Sequence, residues 1–464
     1  MSDLERELDS RRDAHREALF DLLRIPSVSA DSAYRAGIDR AADWLVDRFR
    51  GMGLTVDRIA TSTHPIVYAE SAPVAGAPTV LIYGHYDVQP PDPLDLWQSP
   101  PFEPTVRDGK VYARGSTDDK GQLLTHVLSA ETWLATEGPL PIQLKFLIEG
   151  EEECGSEGLG ELLDGKLSIL GKPAMEGLKC DVAVISDTCQ FAPGQPAITY
   201  GLKGIAYFQV DLVGPSIDLH SGSFGGAVTN PANTLARLLA SLVGEDGRIR
   251  IPGFYDDVRP LTDDERRAYA SLGFDENAFR AGIGVDGVTG EVGYTTLERK
   301  WARPTCDING LWSGYQGEGA KTVLPSKAGA KFSFRLVPDQ DPPKIAAALR
   351  QYLEAQLPPG IRMKLTEMHH APAVIVPLDS PYVAAAADAI EQGFGRRPVF
   401  IREGGSIPVV TSFARKLGVD TLLLGWGQND DAAHSPNEKF ALEDFYRGIR
   451  ASAALWRRLA ADRA

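Results

Sequence analysis

Residues 141–156 read PIQLKFLIEGEEECGS, an apolar, β-prone run that passes straight into acids. Ile142, Leu144, Phe146, Leu147 and Ile148 predict a strand covered on both faces, since strands of buried parallel sheets lose the polar–apolar alternation. Glu149, Glu151, Glu152 and Glu153 follow at once. Carboxylates crowded at the end of a buried strand repel one another and lose hydration, so they call for a compensating positive charge. On its own, EEE also fits a solvated acidic turn. Acid- and His-bearing stretches elsewhere in the chain move the balance toward bound cations.

Composition narrows the classes. With 464 residues the chain has room for two or more cores, and 43% hydrophobic with 24% charged residues is ordinary for a soluble globular protein. A formal charge of −15 argues against nucleic acid and anionic membrane as partners. The opening MSDLERELDSRRDAHREALF spreads charge throughout and is not expected to act as a secretory signal. No run approaches the ~18 apolar residues of a membrane span. The four cysteines, Cys154, Cys180, Cys189 and Cys306, form no C-x-x-C pair, which fits free thiols and a cytoplasmic protein.

Working outward from the acidic strand, helices are expected over 3–23, 36–52 and 120–134, and strands over 54–59, 66–70, 79–88 and 181–187. Such alternation predicts an α/β layered domain with a mixed, mainly parallel sheet, whose ligand sites gather at the carboxyl ends of strands. Near Ala197 the pattern changes. Residues 198–213 alternate as in an antiparallel sheet, a helix is expected over 230–242, and strand 328–337, helix 343–357 and strand 361–368 make an α+β unit. Residues 252–300 are irregular and acidic, with no legible motif. After Pro377 the first pattern returns, with helices over 382–394 and 407–417, strands over 399–401 and 421–424, and a last helix from Leu442. The expected organisation is one α/β domain in two segments, 1–197 and 377–464, with a second domain, 198–376, inserted.

His85 and Asp87 stand two apart, so on a strand they share a face, and Asp87 is placed to steady the second nitrogen of a His ligand. Asp118, in RGSTDDKG, is the candidate bridge, because a carboxylate has two oxygens and can span two cations. Taken singly, H-x-D is a hydrogen-bonded pair, the DD turn a helix cap, Asp187 a turn acid and His434 a surface residue. Together, His85, Asp118, Glu153, Asp187 and His434 supply nitrogen and oxygen ligands for two metals sharing Asp118, each with open positions for water. That stoichiometry suits a hydrolase and not a closed structural zinc site. Cys154 and Cys189, beside these ligands, are expected to pack as small buried groups and not to bind metal.

The ordered set GHYDVQP, GSTDDKG, EGEEECGS, SDT, DLHSG, EGGSIP and DDAAHSPNE, reaching to residue 438, resembles the two-metal aminoacylase/carboxypeptidase G/carnosine dipeptidase family of metallopeptidases, and within it the cytosolic nonspecific dipeptidase branch. The resemblance implies a catalytic domain carrying an inserted ferredoxin-like lid/dimerisation domain, and a homodimer. It implies that His85, Asp118 and Asp187 bind one divalent ion and Asp118, Glu153 and His434 another, zinc or manganese, with cobalt able to substitute in vitro. It also implies that Glu152 is the general base acting on a metal-bridging water and that Asp87 supports the metal site. His220 would reach across the dimer to the partner's substrate, Arg335 would grip the substrate's C-terminal carboxylate, and Thr322 and Ser406 would touch substrate. Glu403 is a candidate for the substrate's free amine. The expected activity is hydrolysis of the amide bond of dipeptides or short peptides with a free C-terminal carboxylate. N-acyl amino acid deacylation by the same chemistry is the alternative, and a non-catalytic dimeric binding protein is disfavoured by the presence of Glu152 and every ligand.

Overall fold

The apolar runs that end at His85, Glu149 and Ile185 lie side by side in the structure, a computed structural model that describes residues 3–405 and 407–461. Strands Gln143–Glu149, Thr79–His85, Val182–Ile185 and Thr421–Gly425 are neighbours in that order, and each pairing among them is parallel. Their residues are almost wholly buried, which explains the missing alternation. Strands Thr55–Ile59 and Ile66–Glu70 extend one side and Ala197–Leu202 the other, all antiparallel, so the sheet is mixed around a parallel centre. Helices Arg35–Gly51, Lys120–Thr136, Pro381–Phe394 and Leu442–Ala461 cover it through Phe49, Leu124, Ile390 and Trp456, and Phe49 meets Phe146 with ring centroids 4.8 Å apart. Helix Lys120–Thr136 is buried along most of its length. The Lys120 ammonium, itself buried, bonds the carbonyls of Leu22 and Ile25 at 3.2 and 2.7 Å where helix Arg12–Leu23 ends, the favourable place for a cation.

The described parts of Met1–Tyr200, Val376–Ile401 and Ser412–Ala464 form this unit, and Gly201–Ile375 with Arg402–Thr411 form a second. There, strands Thr305–Ser313, Lys327–Leu336, Gly204–Val213 and Arg362–Ala371 make an antiparallel sheet in that order. Gly204–Val213 alternates buried and half-buried positions along its whole length, and Phe208 and Phe332 pack on Leu239 and Leu349 of helices Pro231–Ser241 and Pro342–Glu354. The strand–helix–strand–strand–helix–strand succession is ferredoxin-like. Among the described residues no helix is long and apolar enough to cross a membrane.

Local details depart from the expectations. The helix over 3–23 divides at Arg11 into Asp3–Ser10 and Arg12–Leu23. The strands over 79–88 and 181–187 stop at His85 and Ile185, which leaves Asp87 and Asp187 beyond the strand ends. The tract 252–300 holds helices Asp263–Ser271, Glu276–Ile283 and Thr296–Ala302, the first and last opened by capping boxes at Thr262 and Thr295. The segment Arg402–Thr411 joins the second unit: Lys203 N donates to Glu403 O, Arg402 pairs with Glu265, and Thr411 Oγ1 donates to Pro372 O. The division at 377–464 therefore differs there.

Gly121, which closes RGSTDDKG, is a glycine for lack of room. A Cβ on it would lie 1.9 Å from the Ser116 carbonyl oxygen and 2.8 Å from Phe440 Cδ1. Gly121→Ala is expected to lower the unfolding free energy by about 1–3 kcal/mol or more. Gly51→Ala, with nothing within 4 Å of the added carbon, is expected to leave it unchanged or raise it by up to about 1 kcal/mol. Urea unfolding followed by circular dichroism measures both.

Candidate active site

Parallel strands bring their carboxyl ends to one edge of a sheet, and loops leaving that edge are where ligands bind. His85 is the last residue of its strand, Asp187 lies two beyond Ile185, the 3-10 turn Glu152–Cys154 follows Glu149, and the loop after Thr421–Gly425 carries His434. Asp118 comes from the loop ahead of helix Lys120–Thr136, joined to Asp119 by a cis peptide. Every one of these residues belongs to the first unit.

His85 Nε2 lies 3.2 Å from Asp118 Oδ1 and 3.9 Å from Asp187 Oδ2. His434 Nε2 lies 2.9 Å from Asp118 Oδ2 and 3.3 Å from Glu153 Oε2. The two oxygens of Asp118 thus face different imidazoles. The ligand atoms of His85, Asp118 and Asp187 all lie within 4.8 Å of one another, as do those of Asp118, Glu153 and His434, and either group could hold a metal ion.

The chemistry of the donors fits a cation. His85 is fully buried, and its Nδ1 lies 3.2 Å from the Asp87 carbonyl oxygen. With the proton held there, the neutral ring would turn a lone pair from Nε2 toward Asp118 and Asp187, and that buried nitrogen makes no well-directed hydrogen bond. A lone pair opposed to carboxylates is repulsive until a positive charge stands between them. Titration reflects the same field. Burial works to lower His85, yet the carboxylates of Asp118 and Asp87 hold it well above the usual imidazole range. Asp118 and Glu153 push His434 up to about 10. Burial, reinforced by Asp118 and Asp119, holds Asp187 well above the usual carboxylate range. Burial likewise pushes Glu152 up to about 7, against the pull of His85 and with Glu153 and Asp87 adding to it. Asp118 moves the other way: despite burial, His434 and His85 hold it below that range.

Asp87 does more than the shared strand face suggested. Lying past the strand end, it accepts the N–H groups of Glu152 and Glu153 on its two oxygens, at 3.2 and 3.1 Å, and so orients the acidic turn as well as His85. Asp119 Oδ2 accepts from His85 N at 3.3 Å, and Gln89 Nε2 donates to Glu153 Oε2 at 2.7 Å. Both residues stand inside quoted motifs, but their partners are distant in the chain and nothing local announces the bonds. Cys154 is exposed and not buried as expected, because it ends the turn just before Gly155 at φ 118. Neither Cys154 nor Cys189 enters a metal-holding group among the described residues.

Of the expected substrate contacts, His220, Thr322, Arg335 and Glu403 belong to the second unit. His220 pairs with Val323 between strands Leu219–His220 and Val323–Leu324, and the Thr322 carbonyl accepts from Ser221 N, so His220 and Thr322 are neighbours. His220 is exposed, its Nδ1 accepting from Gly222 N at 3.1 Å. Arg335 is half-buried on Lys327–Leu336, opposite Ile205 and Thr305. Glu403 ends strand Val399–Glu403, and Ser406 lies outside the described residues.

Histidines and acids converging at the carboxyl edge of a parallel sheet, in a chain that also carries a ferredoxin-like unit, define a class of metal-dependent hydrolase. Residues 81–458 match the family model for peptidase family M20/M25/M40, and the chain belongs to that family, an enzyme family of peptidases. A Cys-Gly metallodipeptidase of Schizosaccharomyces pombe is 35% identical over 457 residues, covering 96% of this chain and 95% of the relative. Human carnosine dipeptidase 1 shares the fold at a TM-score of 0.84 and 31% identity, over 99% of both chains. A metallo-carboxypeptidase of the same family from Sulfolobus solfataricus gives a TM-score of 0.84 at 32% identity, over 96% of this chain and 99% of that one.

Removing the carboxylate of Asp87 leaves the Glu152 and Glu153 amides without their acceptor. Asp87→Ala is expected to weaken divalent-cation binding by about 10–100-fold, measured by calorimetric titration of the metal-free protein with Zn2+.

Proposed function

We propose that the protein hydrolyses the amide bond of dipeptides or short peptides with a free C-terminal carboxylate, using two divalent cations. His85, Asp118 and Asp187 hold one, and Asp118, Glu153 and His434 the other. The observation that carries this is Asp118, with Oδ1 3.2 Å from one histidine and Oδ2 2.9 Å from the other. Mixed imidazole and carboxylate donors suit zinc or manganese, and cobalt in vitro. When bound, such ions would polarise the scissile carbonyl and lower the pKa of a bound water to about 7.

The chain's own residues do the rest. Glu152 takes a proton from the attacking water and returns it to the departing amine, while Asp87 keeps the backbone of Glu152 and Glu153 fixed. Arg335 receives the substrate carboxylate in a two-pronged bond. His220, contributed by the partner of a homodimer, steadies the developing oxyanion, a contribution of about 3–4 kcal/mol. Thr322 and Ser406 contact substrate, and Glu403 meets its free amine. The second unit then serves as lid and dimerisation domain. Its edge strand Thr305–Ser313 supports dimerisation, since Ile308, Leu311 and Trp312 stand exposed on it and an unpaired edge invites a second copy. The four free cysteines agree with a cytoplasmic setting. Relatives named as dipeptidases over nearly the whole chain favour peptides over N-acyl amino acids.

Chelation is expected to abolish hydrolysis, and restoring zinc, manganese or cobalt separately identifies the working ion when dipeptides, N-acyl amino acids and C-terminally amidated peptides are assayed side by side. Glu152→Gln should keep both cations and lose about 10²–10⁴-fold in turnover; undiminished turnover removes it as the base. Arg335→Ala should erase the preference for a free carboxylate over a C-terminal amide, and equal wild-type rates on the two contradict its role.

A further inference from the structure

Four residues beyond His434 stands Glu438, fully buried and so far given no part in the chemistry. Its carboxylate is saturated with donors. Oε2 accepts from Arg114 Nη1 and Gly115 N, each at 2.9 Å, and Oε1 accepts from Thr117 N at 2.9 Å and Asp118 N at 3.1 Å. The last of these donors is the backbone of the bridging aspartate itself. The Glu438 carbonyl accepts from Ala113 N at 3.1 Å, and strand Lys439–Ala441 pairs with Lys110–Tyr112. A second carboxylate repeats the pattern: Asp431 Oδ2 accepts from Thr117 Oγ1 at 3.1 Å and Gln428 N at 2.7 Å, while its Oδ1 takes Lys439 Nζ at 2.9 Å.

These bonds tie two loops that are remote in sequence, 113–118 with Asp118 and 428–439 with His434, into one clasp. His434 needs such a clasp. Its side chain is 58% exposed and its backbone sits in the left-handed region at φ 61, with Ala432 and Asn437 there too at φ 58 and 63. Such conformations persist where the surroundings over-determine them. His85, by contrast, is locked by burial and by Asp119.

We propose that Glu438 is a positioning residue that sets the distance between Asp118 and His434, and with it the affinity of the cation held by Asp118, Glu153 and His434. The inference rests on the two-cation reading of the site. A merely structural role for the Arg114–Glu438 pair would loosen the whole protein and affect both cations alike. Asp118 serves both cations, so positioning reaches both but unequally: His85 is buried at its strand end, whereas the exposed His434 depends on the clasp.

The test is Zn2+ binding to the metal-free, full-length wild type and Glu438→Gln by calorimetry in a competing chelator, with visible absorption of the Co2+-loaded proteins as a second readout. In the variant one of the two Kd values is expected to rise about 10–100-fold and the other by a clearly smaller factor, and one of two components of the Co2+ spectrum should weaken more than the other. Both Kd values within about twofold of wild type, or both rising by the same factor, overturn the inference. Wild type binding fewer than two ions overturns the two-cation reading and this inference with it. Should Glu438→Gln fail to fold, Thr117→Val removes only the hydroxyl link to Asp431 and takes its place, with a smaller and unequal rise expected in the two Kd values and no change in either, or an equal change in both, as the refuting result.

Discussion

Like charges that must lie close together in a buried place govern this molecule. Asp118, Asp119 and Glu152 bear on Asp187, and Asp118 and Glu153 on Glu152, with His85 among them at the edge of a buried sheet. Without added positive charge the site draws protons, onto both imidazoles and onto Asp187. Divalent cations answer the same demand with fixed geometry, and Asp118 can serve both because its oxygens point to opposite histidines.

The sheet makes that crowding possible. Three parallel strands end within a residue or two of His85, Asp187 and the acidic turn, so ligands far apart in sequence arrive at a common edge. Backbone amides and buried carboxylates then set each ligand: Asp87 for the acidic turn, Asp119 for His85. Strand ends and a helix start carry these side chains, and hydrogen bonds to their backbone supply the fine adjustment.

Much of this was legible in the amino-acid sequence. The buried strands showed as continuous apolar runs, and those ending at His85, Glu149 and Ile185 led into the polar residues that the structure gathers. His85, Asp118, Glu153, Asp187 and His434 were named from their chemistry and from a family resemblance, and they do converge. The supports were not legible, because a carboxylate such as Glu438 looks like any surface acid until its donors, more than 300 positions away in sequence, are seen around it. Strand Thr305–Ser313 stayed hidden for a different reason: its side chains are mostly exposed or half-exposed and a register shift between Ile308 and Gly310 breaks any period of two. The placing of Arg402–Thr411 with the second unit follows from Arg402, Glu403 and Thr411 finding partners there, which local pattern does not reveal.

The order of strands in the central sheet bears on how the chain is made. Val182–Ile185 takes its outer parallel neighbour from Thr421–Gly425, and the second unit is threaded between them. A polypeptide emerging amino end first must carry an open, wholly apolar sheet edge through the synthesis of everything in between. Unprotected edges of that kind recruit other strands, so nascent chains stalled before residue 421 are the form of this protein most in need of a chaperone.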